Sequence, residues 1–109
     1  MDKPRVVVTG VGVITPIGIG VENYWKAALD GASGSRLITH FDPAGLPSRM
    51  AAVVREEEEL QRVRSRLGVD AEESRVAFFA LAAASMAAEG CDWGSYYRRD
   101  RLAIFVGNS

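Results

Sequence analysis

The chain opens with a run of β-branched residues and then changes to a helical pattern. After its leading arginine, the segment 5–9 is continuously apolar or β-branched, as in a strand buried on both faces of a parallel sheet. Pro16 and four glycines exclude a helix over residues 10–20. From Val21 the apolar positions recur at helical spacing as far as Gly31, where a left-handed C-cap is expected. The opening therefore predicts a strand, a glycine-rich loop and an amphipathic helix.

The middle and the end of the chain predict two further strands and a charged helix. Residues 49–54 favour a short strand. Residues 56–66 begin with four glutamates and continue with arginines, a pattern typical of a solvated helix, which is expected to break at Gly68. Residues 102–106 are uniformly apolar, as in another strand buried on both faces.

A second, apolar helix is predicted over residues 71–89. Asp70 and Glu73 stand at capping-box spacing, and Gly90 supplies the stop. From Val76 onward the helix is apolar on every side and rich in alanine, so other backbones can approach it closely. We expect neighbouring elements to bury it on several sides.

The predicted order is strand, helix, strand, two helices and strand, which fits an open α/β layer with right-handed crossovers. Three strands leave too little protein to cover both sheet faces and the apolar helix. We therefore expect residues 1–109 to be one segment of a larger core, without a second domain of its own.

Composition narrows the class of protein. The 109 residues fit one small domain, and 13 basic against 14 acidic residues suggest neither a nucleic acid nor a membrane as partner. The single cysteine excludes an internal disulfide and fits a reducing compartment. No transmembrane stretch or signal peptide is recognisable, so the sequence predicts a cytoplasmic protein.

The Gly10-Val11-Gly12 turn after the first strand leaves open a small nucleotide-binding domain. A dinucleotide loop needs a helix that starts at once, so that its N-terminus meets the pyrophosphate. Here Thr15 occupies the third glycine position, and the predicted helix begins only at Val21. The spacing therefore favours a structural glycine loop.

Several segments carry a resemblance to a known family: 5–12, 15–18, 25–27, 31–34, 38–43 and 46–51, with a return at 80–90 and 101–107. They resemble the N-terminus of the β-ketoacyl-[acyl-carrier-protein] synthases, condensing enzymes of the thiolase-like superfamily. The resemblance implies an α/β fold with a thiolase-like layered α-β-α architecture, incomplete here because only its N-terminal portion is represented.

The resemblance also implies an acyltransferase that performs a decarboxylative Claisen condensation in fatty-acid or polyketide synthesis. Its implied partners are acyl carrier protein, acyl and malonyl thioesters, and a second copy in a homodimer; no metal or diffusible cofactor is implied. An alternative is a non-catalytic subunit that completes a synthase-like partner.

No residue of the chain is expected to be catalytic. The nucleophilic cysteine of the resembled family needs a helix N-terminus, whereas Cys91 follows the stop glycine of a helix and precedes Asp92. His40 lies in a loop that matches a non-catalytic segment of the family. One cysteine and one histidine also fall short of a zinc site. We therefore expect the isolated chain to be inactive.

Three arginines, Arg62, Arg64 and Arg66, lie where the resembled family presents basic residues to the acidic helix of acyl carrier protein. Such a patch would steer an acidic partner and raise its association rate. The adjoining glutamates leave open a second interpretation, a helix with mixed surface charge and no partner.

Overall fold

A computed structural model describes residues 2–70, 73–92, 95 and 98–108. Its elements follow in this order: β1 Ile14–Thr15, β2 Gly18–Ile19, α1 Val21–Leu29, β3 Ser35–Leu37, β4 Met50–Ala52, α2 Glu57–Leu67, α3 Arg75–Ala88 and a 3-10 turn Arg99–Arg101. This mixture of helices and small sheets is that of a partial α/β domain.

The glycine-rich loop forms a tight antiparallel hairpin that leads directly into α1. β1 and β2 pair with Ile14 opposite Ile19 and Thr15 opposite Gly18. The Thr15 hydroxyl donates to the Gly18 carbonyl at 3.0 Å across the turn. A helix is absent from this loop, as the sequence predicts.

Helix α1 confirms the predicted amphipathic helix. Its C-cap is Asp30, and Gly31 follows with φ of 69°, the left-handed conformation that favours glycine. Its apolar side chains Val21, Trp25 and Leu29 nevertheless remain exposed to solvent. No described element covers this stripe.

The predicted strand at 49–54 is present as β4, and it pairs with a strand that the sequence pattern did not reveal. β3 and β4 are antiparallel, with Ser35 opposite Ala52 and Leu37 opposite Met50. Beyond β4, Arg55 Nη2 donates to the Leu37 carbonyl at 2.6 Å. The polar residues in β3 conceal its strand character because both of its faces are exposed.

Helix α2 begins and ends within one or two residues of its predicted limits. It closes with Gly68 in the left-handed conformation, where Val69 N donates to Arg64 O and Gly68 N donates to Ser65 O, both at 3.2 Å. This pair of hydrogen bonds is a Schellman motif, and it satisfies carbonyls that the helix end would otherwise leave unpaired.

Helix α3 starts later than its predicted first residue, 71. The Ser74 hydroxyl accepts from Ala77 N at 3.2 Å and acts as N-cap, so the helix begins at Arg75. The predicted cap, Asp70, belongs instead to the turn that follows α2, where its carbonyl accepts from the Arg64 side chain. Predicted positions 71 and 72 lie outside the described residues.

A small apolar core lies where α2 and α3 meet the hairpin. Its buried members are Ile19, Val54, Leu60, Val63, Phe78 and Ala82. Other apolar residues of α3, such as Val76 and Leu81, are more than half exposed. The described chain therefore covers α3 only in part, as expected of a segment with too few strands to bury it.

The strands predicted at 5–9 and 102–106 do not form. Both segments are extended, but no backbone hydrogen bond joins them to another described residue, and Val6 and Phe105 are 92% and 93% exposed. A strand is stabilised by a hydrogen-bonded partner, and here neither segment has one. The described residues contain antiparallel pairs in place of the predicted parallel layer.

Candidate functional site

The charged helix α2 is held against the core by one face. Leu60 and Val63 are buried, at spacing that puts both on the side facing α3. The helical period then places Arg62 and Arg66, four residues apart, on a common face, with Arg64 between them on another. The geometry of the helix therefore separates Arg64 from the other two arginines of the predicted patch.

Arg62 and Arg66 lie together at the edge of a cleft of about 380 Å³ between α2, the end of α3 and the hairpin. Apolar side chains of Ile19, Val63 and Met86 contribute to its walls. This cleft combines cationic groups with an apolar lining, which is a chemistry suited to an acidic surface that also presents an apolar side chain.

The two arginines of the cleft differ in their existing partners. Arg62 lies 3.0 Å from a Glu59 carboxylate oxygen and 3.7 Å from one of Glu58. These pairs are solvent-exposed, and each contributes only about 0.3–0.5 kcal/mol. Arg66 forms no ion pair or side-chain hydrogen bond with another described residue. Both guanidinium groups are therefore available to a partner at low cost.

Carboxylates also border the cleft and set its net charge. Glu59 and Glu89 line it beside the two arginines. The four charges balance, so the cleft as a whole is not a cationic well. Any attraction for an acidic partner must come from the local arrangement of the guanidinium groups, and salt will screen it.

Arg64 is directed into the protein. Its guanidinium carbon lies 4.1 Å from the centroid of the Phe78 ring, and Nη1 donates to the Asp70 carbonyl at 2.5 Å. The structure therefore brings Arg62 and Arg66 together and gives Arg64 separate contacts.

The Gly10-Val11-Gly12 segment packs against α3 by its backbone. A Cβ atom on Gly10 would lie 1.9 Å from the Ala87 carbonyl oxygen, and one on Gly12 would lie 1.8 Å from that of Ala83. Ala83 and Ala87 are one turn of α3 apart, and a glycine is needed opposite each of them for this close approach. Because β1 and β2 also separate this segment from α1, the arrangement of a dinucleotide loop is not formed.

The lone cysteine and the lone histidine lie in different surroundings. Cys91 follows the end of α3, half-buried, with Sγ 4.0 Å from the Ala87 carbonyl oxygen. His40 lies in the exposed connection between β3 and β4, edge-on to the Phe41 ring at 4.8 Å. No hydrogen bond or ring contact among the described residues joins them into a catalytic pair.

Within the described ranges, no three His, Cys, Asp or Glu side chains are grouped so that they could hold a metal ion. Among the same residues, no helix has the length and apolar character needed to cross a membrane.

Sequence reasoning missed two features of this region. Ile19 of β2 and Met86 of α3 line the arginine cleft. Both are far from α2 in the sequence, so no local pattern could connect them with it. A second cleft, of about 480 Å³, lies between Thr9-Gly10, the alanines at 84, 87 and 88, and residues 102–104. Its lining is predominantly apolar, and the two unpaired extended segments form its sides.

Comparison with protein families gives a match over almost the whole chain. The model described as "Beta-ketoacyl synthase, N-terminal domain" matches residues 3–107. No solved structure matches the chain significantly.

Individual relatives match shorter stretches. The 3-oxoacyl-[acyl-carrier-protein] synthase 2 of Coxiella burnetii is 48% identical over 56 residues, which is 51% of this chain and 14% of the relative. The tetracenomycin polyketide synthase ketoacyl synthase beta subunit of Streptomyces glaucescens is 49% identical over 55 residues, 50% of this chain and 13% of the relative. A putative polyketide beta-ketoacyl synthase 2 of Streptomyces coelicolor is 39% identical over 90 residues, 83% of this chain and 21% of the relative. The matched part of the chain thus spans only a small fraction of the length of each relative.

Proposed function

The chain belongs to the beta-ketoacyl synthase N-terminal domain family, and from that premise we propose that it forms the first part of a 3-oxoacyl-[acyl-carrier-protein] synthase. The complete enzyme would carry an acyl group on a cysteine, decarboxylate a malonyl thioester and join the two in a Claisen condensation. We assign it to fatty-acid or polyketide synthesis, in the cytoplasm, as a homodimer of thiolase-like layered architecture that needs no metal or diffusible cofactor.

Within this enzyme, residues 1–109 would supply scaffold. Cys91 follows the C-terminal end of α3, whereas the resemblance requires a helix N-terminus at a nucleophilic cysteine. Among the described residues, no hydrogen bond or ring contact joins His40 to Cys91. We therefore expect the chain alone to have no condensing activity.

Two observations together carry this proposal: the family match extends over residues 3–107, and the apolar core of the chain is incompletely covered. The radius of gyration is 17.5 Å, whereas a compact domain of this length has one of roughly 13 Å. The apolar segments 5–9 and 102–106 flank an apolar cleft of about 480 Å³, and neither has a backbone hydrogen-bond partner in the part of the chain that the structure describes. Surfaces of this kind belong inside a protein, and further strands of the parent sheet would cover them.

A chimera tests the scaffold role. The chain replaces the corresponding first segment of the Coxiella burnetii synthase, and formation of 3-oxoacyl product is measured. We expect the chimera to be active, and we expect Gly12→Leu in the chimera to abolish activity by separating the loop from α3. A chimera that folds and dimerises like the parent synthase but forms no product would overturn the proposal.

Carrier-protein docking is the second part of the proposal. We assign the arginine set Arg62, Arg64 and Arg66 to this surface, with Arg62 and Arg66 in direct contact with the partner. The geometry supports this division, because those two arginines border an apolar-walled cleft and Arg66 has no described ion-pair partner. An acidic helix with one apolar side chain fits both properties.

Charge reversal in the chimera tests docking. Arg62→Glu with Arg66→Glu is expected to raise the KM for acyl carrier protein about tenfold or more, with less effect on kcat. Arg36→Glu, an exposed arginine on β3, is the control for a change in charge outside the cleft. An unchanged KM in the double variant would dismiss the docking surface and leave the scaffold proposal intact.

A non-catalytic subunit is a second candidate function. The relative from Streptomyces glaucescens is named as a beta subunit of a polyketide synthase. Co-expression of the chain with synthase-like proteins tests this candidate: stable co-purification with a second chain that carries the catalytic cysteine would favour it.

A further inference from the structure

Arg64 has surroundings different from those of Arg62 and Arg66. Its guanidinium lies over the ring of Phe78, which is only 1% exposed and is the largest fully buried side chain of the described residues. At the same time Nη1 donates to the Asp70 carbonyl at 2.5 Å. The guanidinium therefore covers the central aromatic residue of the core where α2 meets α3, and it does not face the arginine cleft.

The backbone of Arg64 acts on the same turn as its side chain. Its carbonyl accepts from Val69 N at 3.2 Å, in the Schellman motif that ends α2. Its guanidinium binds the carbonyl one residue farther along. Main chain and side chain together hold the last turn of α2, and Arg66 belongs to that turn.

We propose that Arg64 is a positioning residue for docking: its contacts with Phe78 and Asp70 fix α2 on α3 so that Arg62 and Arg66 both border the cleft. This inference rests on the proposed docking role of those two arginines. It assigns to Arg64 no contact with the partner.

The chemistry of the side chain explains why an arginine is needed here. A guanidinium is planar, so it stacks on a ring and still directs N–H donors outward in its own plane. A lysine carries the same charge but has no plane to stack. Arg64→Lys keeps the charge and removes the stacking. Its effect on affinity therefore distinguishes a positioning role from direct electrostatic attraction.

A double-mutant cycle tests the proposal in the chimera with the Coxiella burnetii synthase, because the isolated chain is expected to self-associate; the parent chain of the cycle is the chimera with all three arginines. The parent chain, Arg64→Met, Arg64→Lys and the pair Arg62→Gln/Arg66→Gln are prepared, together with each Arg64 change in the pair background. Affinity for fluorescently labelled acyl carrier protein is measured by anisotropy over a salt series. Circular dichroism on the same samples verifies helix content and gives the unfolding midpoint.

The pair is expected to lower affinity about tenfold and to weaken its salt dependence. Arg64→Met and Arg64→Lys are each expected to lower affinity roughly threefold in the parent chain, and to have no further effect in the pair background. The effect disappears there because no docking arginine is left to position. If Arg64→Met does not fold, Arg64→Lys, which keeps the charge and the aliphatic part of the side chain, completes the same cycle.

Four results would overturn the inference. If Arg64→Lys binds like the parent while Arg64→Met binds more weakly, or if Arg64→Met weakens the pair variant by the same factor as it weakens the parent, Arg64 is a docking charge in its own right. If both Arg64 variants lower the unfolding midpoint without changing affinity, its role is structural only. If the pair itself binds like the parent, the docking proposal fails, and this inference fails with it.

Discussion

Gly12 and Ala83 meet backbone to backbone: a Cβ atom on Gly12 would lie 1.8 Å from the Ala83 carbonyl oxygen. One turn later, Gly10 has the same relationship with Ala87. The glycines of the loop allow this contact with the backbone of α3, and a side chain at either glycine would separate the loop from the helix. The glycine motif is therefore an element of packing between the loop and α3.

Gly12→Ala is expected to destabilise the chain by at least about 1–3 kcal/mol, because the added methyl group cannot fit beside a carbonyl oxygen. Urea unfolding followed by circular dichroism measures the change. Gly107→Ala is the matched control, since a Cβ there meets nothing within 4 Å, and it should change stability by less than about 0.5 kcal/mol. Equal stability of the two variants would contradict the close approach.

The same packing predicts that dinucleotides do not bind. A ligand at about 100 times its Kd adds about 2.7 kcal/mol to the stability of the folded state, which is readily seen as a rise in Tm. We expect the Tm of the chain to be unchanged by oxidised or reduced nicotinamide dinucleotides. A rise that grows with ligand concentration would restore the nucleotide-binding interpretation.

Phe78→Ala is expected to cost about 3–5 kcal/mol, because it empties the centre of the core and leaves the Arg64 guanidinium without its ring. Phe105→Ala makes the same chemical change at a side chain that is 93% exposed, and should alter stability by about 0.5 kcal/mol or less. Urea titration measures the free energy of unfolding of both variants, and the loss is expected to be much larger for Phe78→Ala. Similar losses for both phenylalanines would show that Phe105 is buried in solution.

Ser74→Ala is expected to lower stability by about 1 kcal/mol, since it removes the acceptor for Ala77 N at the start of α3. Ser65→Ala, an exposed position within α2, should be neutral or slightly stabilising because alanine has the higher helix propensity. Thermal unfolding of the two variants in parallel makes the comparison. A neutral Ser74→Ala would place the start of α3 elsewhere.

The unpaired apolar segments predict self-association of the isolated chain. Val7 and Phe105 are exposed on segments whose backbone groups have no hydrogen-bonding partner among the described residues, and such segments favour pairing with another chain. Val7→Lys together with Phe105→Lys should lower the mean mass measured by light scattering while leaving the circular dichroism spectrum unchanged. A parent chain that elutes as a monomer at every concentration would contradict the open-core proposal.

The helices could be predicted well because their signals are local. The limits of α1 and α2 follow from apolar spacing and from Gly31 and Gly68, whose left-handed conformations end each helix. The predicted start of α3 was too early because Asp70 and Ser74 both offer capping oxygens, and the sequence alone does not say which one the helix uses. Asp70 is held by the turn after α2, and Ser74 remains for α3.

The strands could not be predicted as well, since a strand depends on a partner elsewhere in the chain. Residues 5–9 and 102–106 have strong β propensity but no described partner, whereas β3 is polar and pairs with β4. In the candidate site, the sequence located three arginines on one helix. It did not reveal that Met86 and Ile19 complete their cleft.

The sequence by itself determined the family, the helices with their glycine stops and the presence of basic residues on α2, because each depends on residues close together in the chain. Only the tertiary structure decided that Arg62 and Arg66 share a cleft while Arg64 covers Phe78, and that Gly10 and Gly12 pack on α3. The physical reason is that a side chain's role follows from its neighbours in space, and packing α2 and the loop against α3 sets those neighbours.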